Sequence, residues 1–150
     1  MRKAIALLIL LSSLSFVSCR GKYSDTSGVV SRFLNGFDIS CSVYNSLCPE
    51  GTEGYIDDGM RKILFITEDF LPYDYTLAFN SRLDCVFELG VFLSHDTSER
   101  LALGELCLSR INLLESQVRG EGRVLIENDL VIYIFSEDIE KALDKLERVL

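Results

Sequence analysis

The sequence predicts an α+β fold: an antiparallel sheet of about four strands, covered by a long helix and a C-terminal helix, with short N-terminal helices. Two observations carry this. Residues 75–92 and 123–135 hold strand-length apolar or alternating runs separated by turn formers, the mark of two hairpins. Each hairpin is followed by a segment of helical period, 97–118 and 137–149. Two hairpins that each lead into a helix give a sheet covered on one face.

Taken in order, Val29, Val30, Phe33, Leu34 and Phe37 recur at helical spacing. Asp25 or Thr26 caps the start of that helix, about 26–35, and Gly36 suits its end. Residues 38–55 are rich in Ser, Gly, Asn and Pro and read as turns. Residues 56–66 form a second short helix with Asp57 and Asp58 in its first turn, where the helix dipole favours anions. In YTLAFNS, residues 75–81, Tyr75, Leu77 and Phe79 share a face. In DCVFELGVF, residues 84–92, Cys85, Phe87, Leu89 and Val91 share a face, opposite Val86, Glu88, Gly90 and Phe92. The chain turns between them near Asn80–Arg82. Asp96 and Glu99 form a capping box for the long helix, whose stripe is Leu103, Cys107, Ile111, Leu114 and Val118, ended by Gly120 and Gly122. Asn128-Asp129 turns RVLIE into LVIYIF. Ser136 caps the last helix, with Ile139, Ala142, Leu143, Leu146 and Val149 inward.

The N-terminus has a different logic. Arg2 and Lys3 precede an uncharged stretch of about 14 residues, Ala4 to Val17, the layout of a secretory signal. A bilayer span needs roughly 20. Phe16-Val17-Ser18-Cys19 then resembles the bacterial lipobox. That resemblance implies that Cys19 takes a diacylglyceryl group and becomes the first mature residue. It divides the chain into a lipoprotein signal peptide, 1–18, a lipidated Cys and tether, 19–26, and a single extracytoplasmic domain, 27–150. Buried acyl chains contribute about 0.8 kcal/mol per CH₂, so two or three hold the domain at the membrane.

Composition narrows the partners. The chain carries 15 Lys and Arg against 23 Asp and Glu, and losing Arg2 and Lys3 takes the formal charge from −8 to −10. Nucleic acid and anionic headgroups are disfavoured. A mature part of about 130 residues buries roughly two thirds of its unfolded surface and needs no metal to hold a core.

The chain resembles a family of small lipoproteins, mostly from Gram-positive bacteria, known as domain of unknown function 4358. Besides the lipobox, the likeness lies between Tyr75 and Leu143. LDCVFELGVFLSHDTSERLALGELCLSRINLLES is similar to the family's strand and long helix, and RVLIENDLVIYIFSEDIEKAL to its terminal hairpin and helix. The insert at 38–55 and the short link from Glu115 to Arg123 depart from the family pattern. The resemblance implies a compact extracytoplasmic domain and no particular activity.

Five cysteines are present, one of them Cys19. The other four, Cys41, Cys48, Cys85 and Cys107, allow three pairings, and spacing does not choose among them. Cys41 and Cys48 are candidates for a disulfide across a turn-rich loop, worth about 2–3 kcal/mol, against two unbonded thiols. Cys85 and Cys107 fall on apolar faces, where packing is the default and a bond between them the alternative. His95, the one histidine, stands in a loop before a helix with no nucleophile evident beside it. Asp57-Asp58-Gly59 and Glu68-Asp69 lack the alternation of a calcium loop and fit helix capping and solubility. No glycine-rich phosphate loop or metal-ligand spacing occurs.

The resulting expectation is a lipid-anchored extracytoplasmic lipoprotein acting by binding or as an accessory domain at the cell surface, without catalytic residues, cofactor or metal. Its partners are the membrane, through Cys19, and an unknown protein or cell-envelope component. The alternatives are a small thiol-dependent or hydrolytic enzyme using Cys41, Cys48 or His95, and a solute-binding lipoprotein.

Overall fold

A computed structural model of the chain describes residues 25–65, 72–80 and 86–150, apart from the side chains of Ile63 and Phe65. Among the described residues nine elements follow one another: α1 (Thr26–Leu34), β1 (Ser42–Asn45), α2 (Asp58–Phe65), β2 (Tyr75–Asn80), β3 (Phe87–Leu93), α3 (Thr97–Gln117), β4 (Glu121–Glu127), β5 (Leu130–Ser136) and α4 (Ile139–Val149). The fold is α+β with one open antiparallel sheet of five strands, in the order β1-β2-β3-β5-β4.

The fifth strand is β1, inside the stretch read as turns. It is four residues long, and its side chains run from exposed to half-buried rather than alternating. Such an edge strand has no two-residue periodicity to display. Pairing with β2 makes it a strand, from Ser42 opposite Phe79 to Asn45 opposite Thr76, and the Tyr44 and Phe79 rings stack at 5.0 Å.

The sheet is covered on both faces, not one. α1 and α4 lay Val29, Val30, Phe33, Ile139, Ala142 and Leu146 over Phe87, Leu89, Ile132 and Ile134. α2 and α3 lay Leu64, Leu103, Cys107 and Ile111 over Tyr75, Leu77, Phe92 and Tyr133. Every residue of β5 is buried, and so is every residue of β3 but Leu93. LVIYIF is thus a central strand with two apolar faces, which reads as a continuous run rather than an alternation.

Helix ends follow the expected chemistry with shifts of a residue or two. Asp25 caps α1 by accepting from the Gly28 amide, and Gly36 follows the C-cap with φ 73°. Asp57 lies just outside α2 and accepts from the Met60 amide at 2.7 Å, leaving Asp58 in the first turn. Asp96 caps α3 by accepting from Glu99 N at 2.8 Å. α4 is capped by Asp138, not Ser136. Ser136 remains in β5, and its hydroxyl oxygen accepts from Asp138 N at 3.2 Å. α3 ends at Gln117, where Val118 turns extended with φ −137° and ψ 161°. Gly122 is not a helix stop but a strand residue beneath α3: a Cβ there would lie 2.4 Å from a methyl of Ile111. Between β4 and β5, Asn128 takes φ 55°, which Asn tolerates in tight turns.

Candidate functional site

The residues singled out by sequence do not gather at one place. Cys19, Cys85 and the Glu68-Asp69 pair lie outside the described residues. Cys107, on α3, is buried against the sheet, where loss of hydration pushes its thiol up to about 12. It packs in the core, where burial disfavours the thiolate. Cys41 and Cys48 come together on one recess.

That recess runs along the outer edge of β1 and has a volume of about 520 Å³. Cys41, Val43, Asn45, Cys48, Glu53 and Gly54 are among the residues lining it. The loop after β1 closes back on the strand: Cys48 N donates to Asn45 O at 3.1 Å, and Asn45 N donates to Gly54 O at 2.9 Å. Gly54 has φ 83°, and a Cβ on it would sit 3.1 Å from Val43 O and 3.5 Å from Cys48 Sγ. Only glycine brings the loop this close. Both cysteines are half-buried, and no bond joins them to each other.

His95 is exposed, and its amide donates to the Glu99 carboxylate that completes the α3 cap. The adjacent Ser94 is buried, and its hydroxyl donates to Asp129 O at 2.8 Å. Arg100 donates to the Asp129 carboxylate at 3.2 Å and approaches Ser94 Oγ at 3.4 Å. The group pins the β4–β5 turn against α3, and the serine proton is committed to a carbonyl rather than to a base. Asp57 and Asp58 serve α2, one by capping and one by pairing with Arg61 at 2.6 Å. Among the described residues no group of three or more His, Cys, Asp or Glu side chains could hold a metal ion.

No family model, curated protein or solved structure matches the chain. The chain's own sequence, and what its described side chains can do, therefore carry the functional argument.

Two buried polar groups were not singled out by the sequence reading. In the first, Glu88 on β3 meets Arg110 on α3 through two bonds, Nε to Oε2 at 3.0 Å and Nη2 to Oε1 at 2.6 Å, and Tyr133 on β5 donates to Oε2 at 3.2 Å. Burial pushes the Tyr133 hydroxyl well above its ordinary range, and the charge of Glu88 adds to this. Burial opposes the Arg110 charge, but hydrogen bonding to Glu88 and its charge outweigh that, so the guanidinium is held more firmly. Both carboxylate oxygens of Glu88 are engaged, which leaves a clamp between helix and sheet rather than a general base. Gly90 makes room for it: a Cβ there would lie 2.1 Å from the Tyr133 ring. The available signal was a lone Glu in an apolar strand and an Arg three residues after Cys107.

The second group ties the start of the domain to the sheet. Asp74 accepts from Thr26 Oγ1 at 2.6 Å and Thr26 N at 3.4 Å. Thr26 Oγ1 lies 2.7 Å from Thr76 Oγ1, which accepts from Asn45 Nδ2 at 2.7 Å. Thr26, Asp74 and Thr76 are all buried, so a lost partner here would leave an unsatisfied polar atom.

Proposed function

We propose that the chain is a lipid-anchored extracytoplasmic lipoprotein whose domain acts by binding, as an accessory factor at the cell surface. The observation that carries the reading is the order of features at the N-terminus: a basic pair, a short apolar stretch, Phe16-Val17-Ser18-Cys19, and then a domain whose first described helix is capped by Asp25. An apolar stretch of about 14 residues is too short to span a bilayer, and no helix among the described residues is long and apolar enough to do so. The likeness to domain of unknown function 4358, with its strand, long helix and terminal hairpin, supports the same reading and belongs to the proposal. The acidic composition favours a partner that is neither nucleic acid nor strongly anionic.

The test is Cys19→Ala in a host that processes lipoproteins. The wild-type chain is expected in the detergent phase, with an acylated N-terminal peptide by mass. The variant is expected unprocessed, or released from that phase. Mature, membrane-partitioned Cys19→Ala protein would overturn the anchor.

One observation favours a second reading. Cys41 and Cys48 line the same recess beside Glu53, as a thiol-based site or a disulfide across the loop would require. Alkylation across pH separates the readings: a Cys48 thiolate reacting well below pH 7 marks an enzyme, and ordinary thiol behaviour leaves binding as the function.

A further inference from the structure

Exposed apolar side chains are common on any protein, so single instances carry little. Two of them gain meaning from where the chain enters the domain. Tyr73 is 78% exposed and Leu47 is 46% exposed. Tyr73 immediately precedes Asp74, whose carboxylate holds the hydroxyl of Thr26, the first residue of α1. The Tyr73 carbonyl accepts from Ser46 Oγ at 2.8 Å, and Ser46 N donates to Tyr75 O at 3.0 Å. Leu47 N donates to Asn45 Oδ1 at 2.8 Å, and the Asn45 amide donates to Thr76 Oγ1, which touches Thr26. One hydrogen-bonded network therefore fixes Leu47, Tyr73 and the chain's point of entry at the same corner.

We propose that this corner rests on the bilayer surface, with Tyr73 at headgroup depth and Leu47 beside it. The inference rests on the lipid-anchor reading. Six residues, 20–25, separate Cys19 from Thr26, and the seven steps between them reach at most about 25 Å. That length confines the entry corner to the neighbourhood of the headgroups into which an acylated Cys19 would be drawn. A tyrosine ring with a polar tip suits that depth, and a leucine suits the acyl boundary. The charge of the mature chain makes the contact apolar rather than coulombic, so it should survive on zwitterionic lipid. The opposite end of the sheet, where Asn80, Phe87, Ser136 and Glu121 line up in register, points away from the membrane.

The chain contains no tryptophan, so a single introduced one reports its own surroundings. The experiment uses the full chain from a lipoprotein-processing host, in phosphatidylcholine vesicles with brominated acyl chains. Tyr73→Trp is compared with Arg119→Trp, an exposed position between α3 and β4 at the far end of the sheet. The Trp at 73 is expected to be quenched several-fold more than the Trp at 119, with little change at high salt. The mass of the N-terminal peptide reports acylation separately. An acylated protein with equal or absent quenching at both positions overturns the surface contact and leaves the anchor standing. An unacylated protein that binds no vesicle overturns both. An unacylated protein still quenched at 73 overturns the anchor and supports the contact.

Discussion

Buried groups in this molecule are set by what surrounds them, and two respond to measurement one residue at a time. The Cys107 thiol is raised by desolvation from 9.0 to about 12. Below pH 9 the folded and unfolded states both keep the proton, and pH has no effect through this group. Between pH 9 and about 12 the unfolded thiol ionises while the folded one does not, so the unfolded state binds fewer protons and stability falls as pH rises. The slope from one such group is about 1.4 kcal/mol per pH unit. Urea titrations at pH 8 to 11 are expected to show a steeper alkaline loss for the wild type than for Cys107→Ala. Equal slopes would mean that the thiol is not shielded from water. The Glu88–Arg110 pair makes a second case. Removing one partner strands a buried charge, so Arg110→Met is expected to cost about 3–5 kcal/mol, with Glu88→Met/Arg110→Met recovering part of the loss. A double variant no more stable than the single one would show that the pair contributes more than it costs to bury.

Among the elements, α3 depends on the seam that it shares with the sheet. Leu103 and Ile111 sit on that seam, both buried, with Gly122 of β4 under Ile111. Leu103→Ala is expected to cost about 2–5 kcal/mol in urea unfolding. Gly122→Ala is expected to destabilise as well, because its methyl would force Ile111 from its place; an unchanged midpoint would show that α3 has room to shift. The stripe Leu103, Cys107, Ile111, Leu114 was legible because the long helix returns an apolar residue to the same face four times. Both hairpins were legible for a similar reason, since turn residues punctuate apolar runs. β1 was not legible, because four half-exposed residues among turn formers carry no period and β2 supplies the stabilising contacts. The second covered face was hidden in the same way: Phe92 and Tyr133 were visible as apolar, but which helix would cover them depends on the order β3-β5-β4. The polar clamp and the Thr26–Asp74 group join residues 22 and 48 positions apart, and no local pattern announces such pairings.

At the scale of the whole molecule, one sheet serves two cores. β3 places Phe87, Leu89 and Val91 in the core under α1 and α4, and Phe92 in the core under α2 and α3; β5 divides Ile132 and Ile134 from Val131 and Tyr133 in the same way. A strand cannot leave one core and stay in the other, since the residues of each are covalent neighbours. Loosening either face therefore removes the floor of both, and the described domain is expected to unfold as a single cooperative unit. Leu146→Ala tests this, because Leu146 is buried on the α4 face while Cys107 reports from the α3 face. The substitution is expected to lower the urea midpoint followed by far-ultraviolet circular dichroism, and the midpoint of Cys107 alkylation by the same amount. If the helical signal moved while Cys107 stayed protected to the wild-type midpoint, the two faces would be separate folding units and the shared sheet would not couple them.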